Sequence, residues 1–291
     1  MMQSASTQPG ALSTFARLGR VSNLPTVWSN CLAGWLLGGG GPFGAFLALC
    51  LGSTAVYLGG MFLNDAMDVD FDRATRAGRP IPAGEISEPR VWQWGYGLLA
   101  FGTTTLALLG WTSFVFAVLL ALAALAYNLI HKRTPLGVLL IAGCRFLLYL
   151  VAASAATEGI RGMAVWCGLV LALYVAGLSF VARNETLESP APWWPVLFLA
   201  APVLLAWVAN DGIARERAFS VSLVLTVWVL PFVHHLLRRP PASPAFTVSG
   251  LLAGIIIVDF LAVAGMTLAF LPPFGALFCL ALFAQRHVPA T

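Results

Sequence analysis

Four of the six aspartates in this 291-residue chain, Asp65, Asp68, Asp70 and Asp72, fall within the stretch Asn64–Asp72, at the end of an apolar run. Carboxylates at a membrane boundary are costly to desolvate, so such clustering requires a reason. Spacing offers one. Asn64, Asp68 and Asp72 lie at i, i+4 and i+8, one stripe of a helix. Three oxygen-bearing side chains on that stripe would repel one another, and a divalent cation removes the repulsion. Hard carboxylate and amide oxygens suit Mg2+, which takes one or two carboxylates and completes its shell with phosphate oxygens. Asp65 is adjacent in angle to Asp68 and joins the candidate ligands. Asp70 points elsewhere and is expected to be solvated. The sign of the charge then changes, with Arg73, Arg76 and Arg79 ahead of Pro80. Carboxylates followed by guanidinium groups are what a diphosphate needs, the metal bridging its oxygens and the arginines orienting the rest. The alternative is a set of i,i+4 ion pairs on a solvated helix end, of which Asp72–Arg76 is one.

These residues must be held by membrane helices. The chain is 59% hydrophobic and 10% charged, whereas soluble domains carry roughly 25% charged residues. The expected fold class is an all-α integral membrane protein, a single transmembrane unit over 1–291 with a polar cytoplasmic segment at 1–20. Apolar stretches of near-spanning length occur at 23–40, 43–64, 91–110, 112–130, 136–156, 163–182, 193–209, 218–237 and 247–270, about nine in all. The run 274–285 is short for a span and reads as a tenth segment or an interfacial helix. The polar start lacks the basic-then-apolar order of a signal peptide, so the first span is the expected insertion signal.

Positive charge orients the chain. Arg17, Arg20, Arg73, Arg76, Arg79, Arg90, Lys132, Arg133, Arg183, Arg238 and Arg239 fall on one side of the nine spans; Arg161, Arg215, Arg217 and Arg286 fall on the other. This bias places the N-terminus and the acidic loop in the cytoplasm. It also explains the formal charge of +4 without nucleic acid, and membrane lipid is the expected surrounding. The five cysteines sit singly in apolar runs and imply no disulfide framework.

Other polar residues stand out. Lys132 is the only lysine and sits with Arg133 on the predicted face of the acidic loop. They read either as diphosphate contacts or as topology signals. Arg145 lies mid-span, where an ionisable residue marks a functional site by default, unless it snorkels to the interface. It is expected to meet Glu185, water or a substrate phosphate. Asn23 either contacts substrate or caps the first helix. Asp259 lacks a close sequence partner, so it should face the bundle. His234 and His235 read as interfacial, and the tryptophans at span ends as anchors.

The string Asn64-Asp65-Ala-Met-Asp68-Val-Asp-Phe-Asp72, with Arg76-Ala-Gly-Arg79-Pro80 and Gly84, resembles the first aspartate-rich motif of the UbiA-type intramembrane prenyltransferases. Arg20-Val-Ser-Asn23-Leu-Pro25-Thr-Val-Trp28 is similar to that family's first helix, and Tyr127 with Lys132-Arg133-Thr134 to its tyrosine and basic loop. The resemblance implies about nine helices around a central cavity. It implies Mg2+-dependent ionisation of a polyprenyl diphosphate, with transfer of the prenyl group to an unidentified, aromatic or lipophilic acceptor. Asn64, Asp65, Asp68 and Asp72 would hold metal. Asn23, Arg76, Arg79, Tyr127, Lys132, Arg133 and Arg145 would serve the diphosphate, Asp68, Asp72 and Lys132 being the catalytic candidates. Two departures stand beside the match. The second motif of the family carries aspartates, whereas Ser179-Phe-Val-Ala-Arg183-Asn184-Glu185-Thr-Leu-Glu188 carries none. Asn184, Glu185 and Glu188 are the substitute ligands. The family's tyrosine sits four residues before its lysine, a place that His131 takes here. The opening and the second stretch look most like the EboC branch. Two other functions remain consistent with these residues: a UbiA-type terpene cyclase, and a binding or transport protein for a lipid or phosphorylated metabolite without turnover.

Overall fold

The computed structural model describes residues 10–132, 134–184, 193–237 and 244–288. Twelve α-helices occur among them: α1 (Ala11–Leu18), α2 (Leu24–Leu37), α3 (Phe43–Met67), α4 (Val69–Thr75), α5 (Glu88–Ala107), α6 (Trp111–Ile130), α7 (Leu136–Ser154), α8 (Gly162–Asn184), α9 (Pro195–Ala209), α10 (Gly212–Leu237), α11 (Pro244–Ala264) and α12 (Leu271–His287). Seven segments are long and apolar enough to cross a membrane: α3, α6, α7, Gly162–Arg183, Gly212–His235, Phe246–Ala264 and Leu268–His287. The first expected span is shorter than its apolar run, because Gly38–Gly41 end α2 after 14 residues. At a rise of ~1.5 Å per residue it covers ~21 Å, less than the ~30 Å of a hydrocarbon core.

Two hydrophobic cores share α2 and α7. One joins them to α3, α5 and α6 through Val27, Leu49, Leu63, Leu99, Leu120 and Val151. The other joins them to the helices from α8 onward through Tyr149, Leu171, Tyr174, Leu225 and Ile255. In the first half, α2, α3, α6 and α7 pack as a ring, with α3 and α7 on opposite sides. Against the outside of α3 lies α5, at backbone contact. A Cβ on Gly59 would stand 2.8 Å from the Gly95 carbonyl oxygen, and one on Gly102 2.6 Å from that of Gly52. Small residues permit this approach between membrane helices.

The run expected at 274–285 is longer than the sequence indicated. α12 starts at Leu271 with Pro272 and Pro273 in its first turn, where a missing N–H costs nothing. It packs against α2, α11 and the 3₁₀ turn Val21–Asn23 that precedes α2. The end of α11 lies with Leu37 around one apolar cavity, whereas Val21–Asn23 is at the opposite end of α2. α12 thus runs the length of the bundle as a tenth long helix. Arg286 is corrected accordingly: it lies at the same end as Arg20, not across from it.

Candidate functional site

The acidic stripe survives a break in its helix. α3 ends at Met67, and Asp68 adopts φ −91°, ψ 1° before α4 begins. The i→i−4 bonds nonetheless continue: Asp68 N to Asn64 O at 3.0 Å, Asp72 N to Asp68 O at 2.9 Å, Arg76 N to Asp72 O at 2.7 Å. Asn64, Asp68 and Asp72 therefore keep their common face, while the kink tips α4 over the end of the bundle. Asn64, Asp65 and Asp72 are buried, and Asp70 is exposed and pairs with Arg73 at 3.1 Å.

Cations surround the stripe. Arg20 donates from Nη2 to Asn64 Oδ1 at 3.1 Å and to Asp65 Oδ1 at 3.3 Å. Arg79 approaches Asp65 Oδ1 at 3.7 Å. Lys132 Nζ lies 2.8 Å from Asp68 Oδ1 and 3.8 Å from the centre of the Phe71 ring. His131 stands 3.6 Å from Asp68 Oδ2 and stacks on Tyr127 at 4.8 Å. Burial pushes the Asp68 carboxyl up, but hydrogen bonds and charge from His131 and Lys132 outweigh it and hold the group below the ordinary carboxylate value. Burial and the neighbouring Arg20 guanidinium lower the Arg79 value. Asp72 forms no ion pair with Arg76 among the described residues; Arg76 is exposed and lies 5.9 Å from the Phe71 ring. Among the described residues the Asp72–Arg76 pair weighed above is therefore not formed, and the helix end carries the Asp70–Arg73 pair instead.

Two side chains that sequence reasoning missed complete the cluster. Arg20, counted there only as a topology signal, is the cation nearest Asn64. Its backbone is left-handed at φ 42°, a conformation that disfavours most non-glycine residues. Its carbonyl accepts from the Tyr57 hydroxyl at 3.3 Å, which helps hold that conformation. Asn128 accepts from Asn64 Nδ2 at 3.2 Å and donates to the Gly60 carbonyl at 2.9 Å. It turns the Asn64 amide so that its oxygen faces the cations. Asn23 is buried and hydrogen-bonded with Tyr57 beside them.

A hard divalent cation fits this donor set. Asp65 Oδ2 and Asp72 Oδ1 are buried without a hydrogen-bond partner, a costly condition for carboxylate oxygens. Among the described residues, no three His, Cys, Asp or Glu side chains close around a metal position. An open carboxylate–amide set that shares the ion with substrate oxygens is the arrangement Mg2+ favours.

The remaining expected residues divide. Arg133, Glu185, Glu188 and the side chain of Asn184 lie outside the described residues. Arg183, on the last turn of α8, donates to the Thr134 carbonyl at 2.9 Å. Arg145 neither snorkels nor reaches the acidic stripe. It donates to Asn30 Oδ1 at 2.7 Å and to Thr26 Oγ1 at 2.9 Å. Asp259 is fully buried and accepts from Ser29 at 2.5 Å, Asn30 at 2.7 Å and Tyr149 at 2.8 Å.

Comparison with known proteins identifies the family and the fold. The model of the UbiA prenyltransferase family matches residues 24–198. A digeranylgeranylglyceryl phosphate synthase of Methanoculleus marisnigri is 30% identical over 176 residues, covering 59% of this chain and 59% of that protein. The synthase of the same description from Metallosphaera sedula is 29% identical over 214 residues, 70% of this chain and 66% of that protein. The chain thus matches less than two thirds of the length of these relatives. The structure of a UbiA homologue from Aeropyrum pernix K1 superposes with a TM-score of 0.66 at 18% identity, covering 84% of this chain and 97% of that one. That of a UbiA homologue from Archaeoglobus fulgidus bound to GPP and Mg2+ gives 0.60 at 15% identity, with coverage of 87% and 98%. With its aspartate stripe, its basic loop and its bundle of apolar helices, this chain is an integral membrane protein belonging to the UbiA prenyltransferase family.

Proposed function

We propose that the chain transfers a prenyl group from a prenyl diphosphate to an acceptor within the membrane, with the acidic end of the bundle facing the cytoplasm. The observation that carries this reading is the pair of buried, unpartnered carboxylate oxygens on Asp65 and Asp72, set among cations on Arg20, Arg79 and Lys132. Asn64, Asp65, Asp68 and Asp72 would hold Mg2+, which supplies positive charge to the departing diphosphate. Arg20 and Arg79 reach Asp65 Oδ1 and Lys132 reaches Asp68 Oδ1; they would turn to the diphosphate as it arrives, with Arg76 and Arg133 as further contacts. The allylic C–O bond breaks with its electron pair leaving on the diphosphate. The acceptor's electron pair forms the new bond at the same carbon, and its proton leaves with the diphosphate or solvent. The allylic cation would need a site that excludes water, which the apolar bundle around the stripe would supply. Asn184, Glu185 and Glu188 would add ligands. The archaeal relatives named above suggest a glyceryl phosphate lipid as one acceptor to try.

The experiment is turnover of purified protein with Mg2+ and a panel of prenyl diphosphates. Asp68→Ala should reduce diphosphate release by about 10²–10³-fold, the range for loss of one group stabilising a transition state, with little change in melting temperature. Binding of the diphosphate without release in the wild type would replace transfer by a carrier function, and cyclised product without acceptor would indicate a cyclase.

A further inference from the structure

At the end of the bundle opposite the acidic stripe, α8 begins and α2, α9 and α11 end. A cavity of about 150 Å3 opens there. Three helices line it, each stepping inward by seven or eight residues: α8 from Met163 to Val170, α9 from Asn210 to Pro202, and α11 from Met266 to Val258. At ~1.5 Å per residue all three give the same depth, about 10–12 Å. Exposure falls along that line. Met266 and Met163 are 53% and 40% exposed, whereas Val258 is 3% exposed. The cavity is therefore a slot that runs from the rim of the bundle into its interior. Two of its walls, on α8 and α11, belong to segments long and apolar enough to span a membrane.

The walls are apolar apart from Asn210 and the Cys167 thiol. An apolar cavity of this size stays dry and takes hydrocarbon, about the volume of benzene. The rim has a different character. The Asn210 amide donates to the Ala206 carbonyl at 2.8 Å. Arg215 donates from Nε to the Asn210 carbonyl at 2.8 Å, and Arg217 donates from Nη1 to the Met266 carbonyl at 3.2 Å. Two guanidinium groups are thus fastened to two residues of the mouth. Arg215 shares its charge with the exposed Asp211 at 2.8 Å. Arg217 forms no ion pair among the described residues. Cations here run against the bias of the chain, whose lysine and most arginines gather at the other end. Topology therefore does not account for them.

We infer that the slot binds one chain of an anionic phospholipid, drawn from the leaflet opposite the acidic end, with the headgroup phosphate at Arg217 and Arg215. A neutral hydrocarbon would need no cations at the mouth, and a small anion would need no slot. A bilayer presents chain and anion together at this depth. The acidic stripe lies beyond the other end of α2, about 21 Å away by helical rise, so this site is separate from the diphosphate position and independent of the prenyl-transfer reading.

The test uses full-length protein in phosphatidylcholine nanodiscs. These contain a small amount of phosphatidylglycerol, or of phosphatidylcholine, with a photoactivatable diazirine near the end of one chain. After irradiation the labelled residues are located by peptide mass spectrometry. Lipid around the protein should label exposed positions such as Leu204 and Trp207 with either headgroup. A chain in the slot should label Ala206, Val258 or Leu261, which line it and are buried. Phosphatidylglycerol should label these interior residues about fivefold more than phosphatidylcholine, the ratio expected for one arginine at a membrane surface. Ala262→Phe fills the slot, and should remove the interior label while the exterior label remains. Should that variant fail to yield monodisperse protein, Arg217→Gln at the rim carries the test, and the headgroup preference should fall to within about twofold. No interior label in wild type, equal interior label from the two lipids, interior label that persists in Ala262→Phe, or a preference unchanged in Arg217→Gln overturns the inference.

Discussion

At the acidic end of the bundle, Asp65 Oδ2 and Asp72 Oδ1 are buried with no partner, and three cationic side chains compete for the neighbouring oxygens. About 10 Å deeper by helical rise, both oxygens of Asp259 are hydrogen-bonded, and the donors come from α2 and α7. Both clusters bury carboxylates among apolar helices. They differ in whether the chain itself completes the bonding. A set that the chain completes fixes helices and orients its members. A set left incomplete is stable only with something else bound, which is the condition of a ligand site.

Substitution should separate the two. Asp259→Ala strands the Ser29 and Tyr149 hydroxyls and the Asn30 amide at the junction of α2, α7 and α11. Removing one member of a buried charged network costs about 3–5 kcal/mol, read as a fall in unfolding free energy in detergent; Asp259→Asn should cost less. If Asp259→Ala left stability intact while abolishing turnover, the contrast drawn above would collapse. Next in size is Arg20→Gln. Loss of one charged contact to the incoming diphosphate should raise its KM about tenfold, about 1.4 kcal/mol, with stability nearly unchanged. A large stability loss would mean that the acidic cluster too is a scaffold. The smallest effect lies at the rim. Arg17 and Thr14 on α1 bond Glu85. Burial would raise the Glu85 carboxyl, but these partners hold it below its ordinary value. A depressed carboxyl contributes stability above its unfolded value of ~4.3 and loses it as pH falls through the folded value. Glu85→Gln should therefore lower stability at pH 7 by about 0.5 kcal/mol, and the difference from wild type should shrink as pH falls below the unfolded value and vanish once it passes the folded one.

Legibility in the sequence followed the range of the interaction. Asn64, Asp68 and Asp72 could be aligned from spacing alone because their relation is one helical period, and the kink at Asp68 kept it. Arg20 and Asn128 could not, since they reach Asn64 across 44 and 64 residues. The partners of Asp259 are farther still, at 110 to 230 residues. For Arg145, the sequence showed that a buried charge needed company but could not name Asn30 and Thr26, because depth within a bundle is not written in residue order. Span ends were missed as well: the last run was placed at 274–285, although α12 starts at Leu271 with Pro272 and Pro273 in its first turn, a position that suits proline. At the head of α10, the charged Arg215-Glu216-Arg217 read as loop, although α10 starts at Gly212.

The contact of α3 with α5 extends the requirements of the chemistry into a stretch with no chemical groups. At Gly52, Gly59, Gly95 and Gly102, the space a methyl group would need is already filled by the facing helix. Gly52 lies twelve residues before Asn64, about 18 Å by helical rise. Exposed positions on the same helix, such as Leu47 and Leu51, can drift among apolar types, while the glycines cannot change at all without moving the helix that carries the aspartates. The sequences compatible with this site are thus limited most tightly at residues that take no part in it.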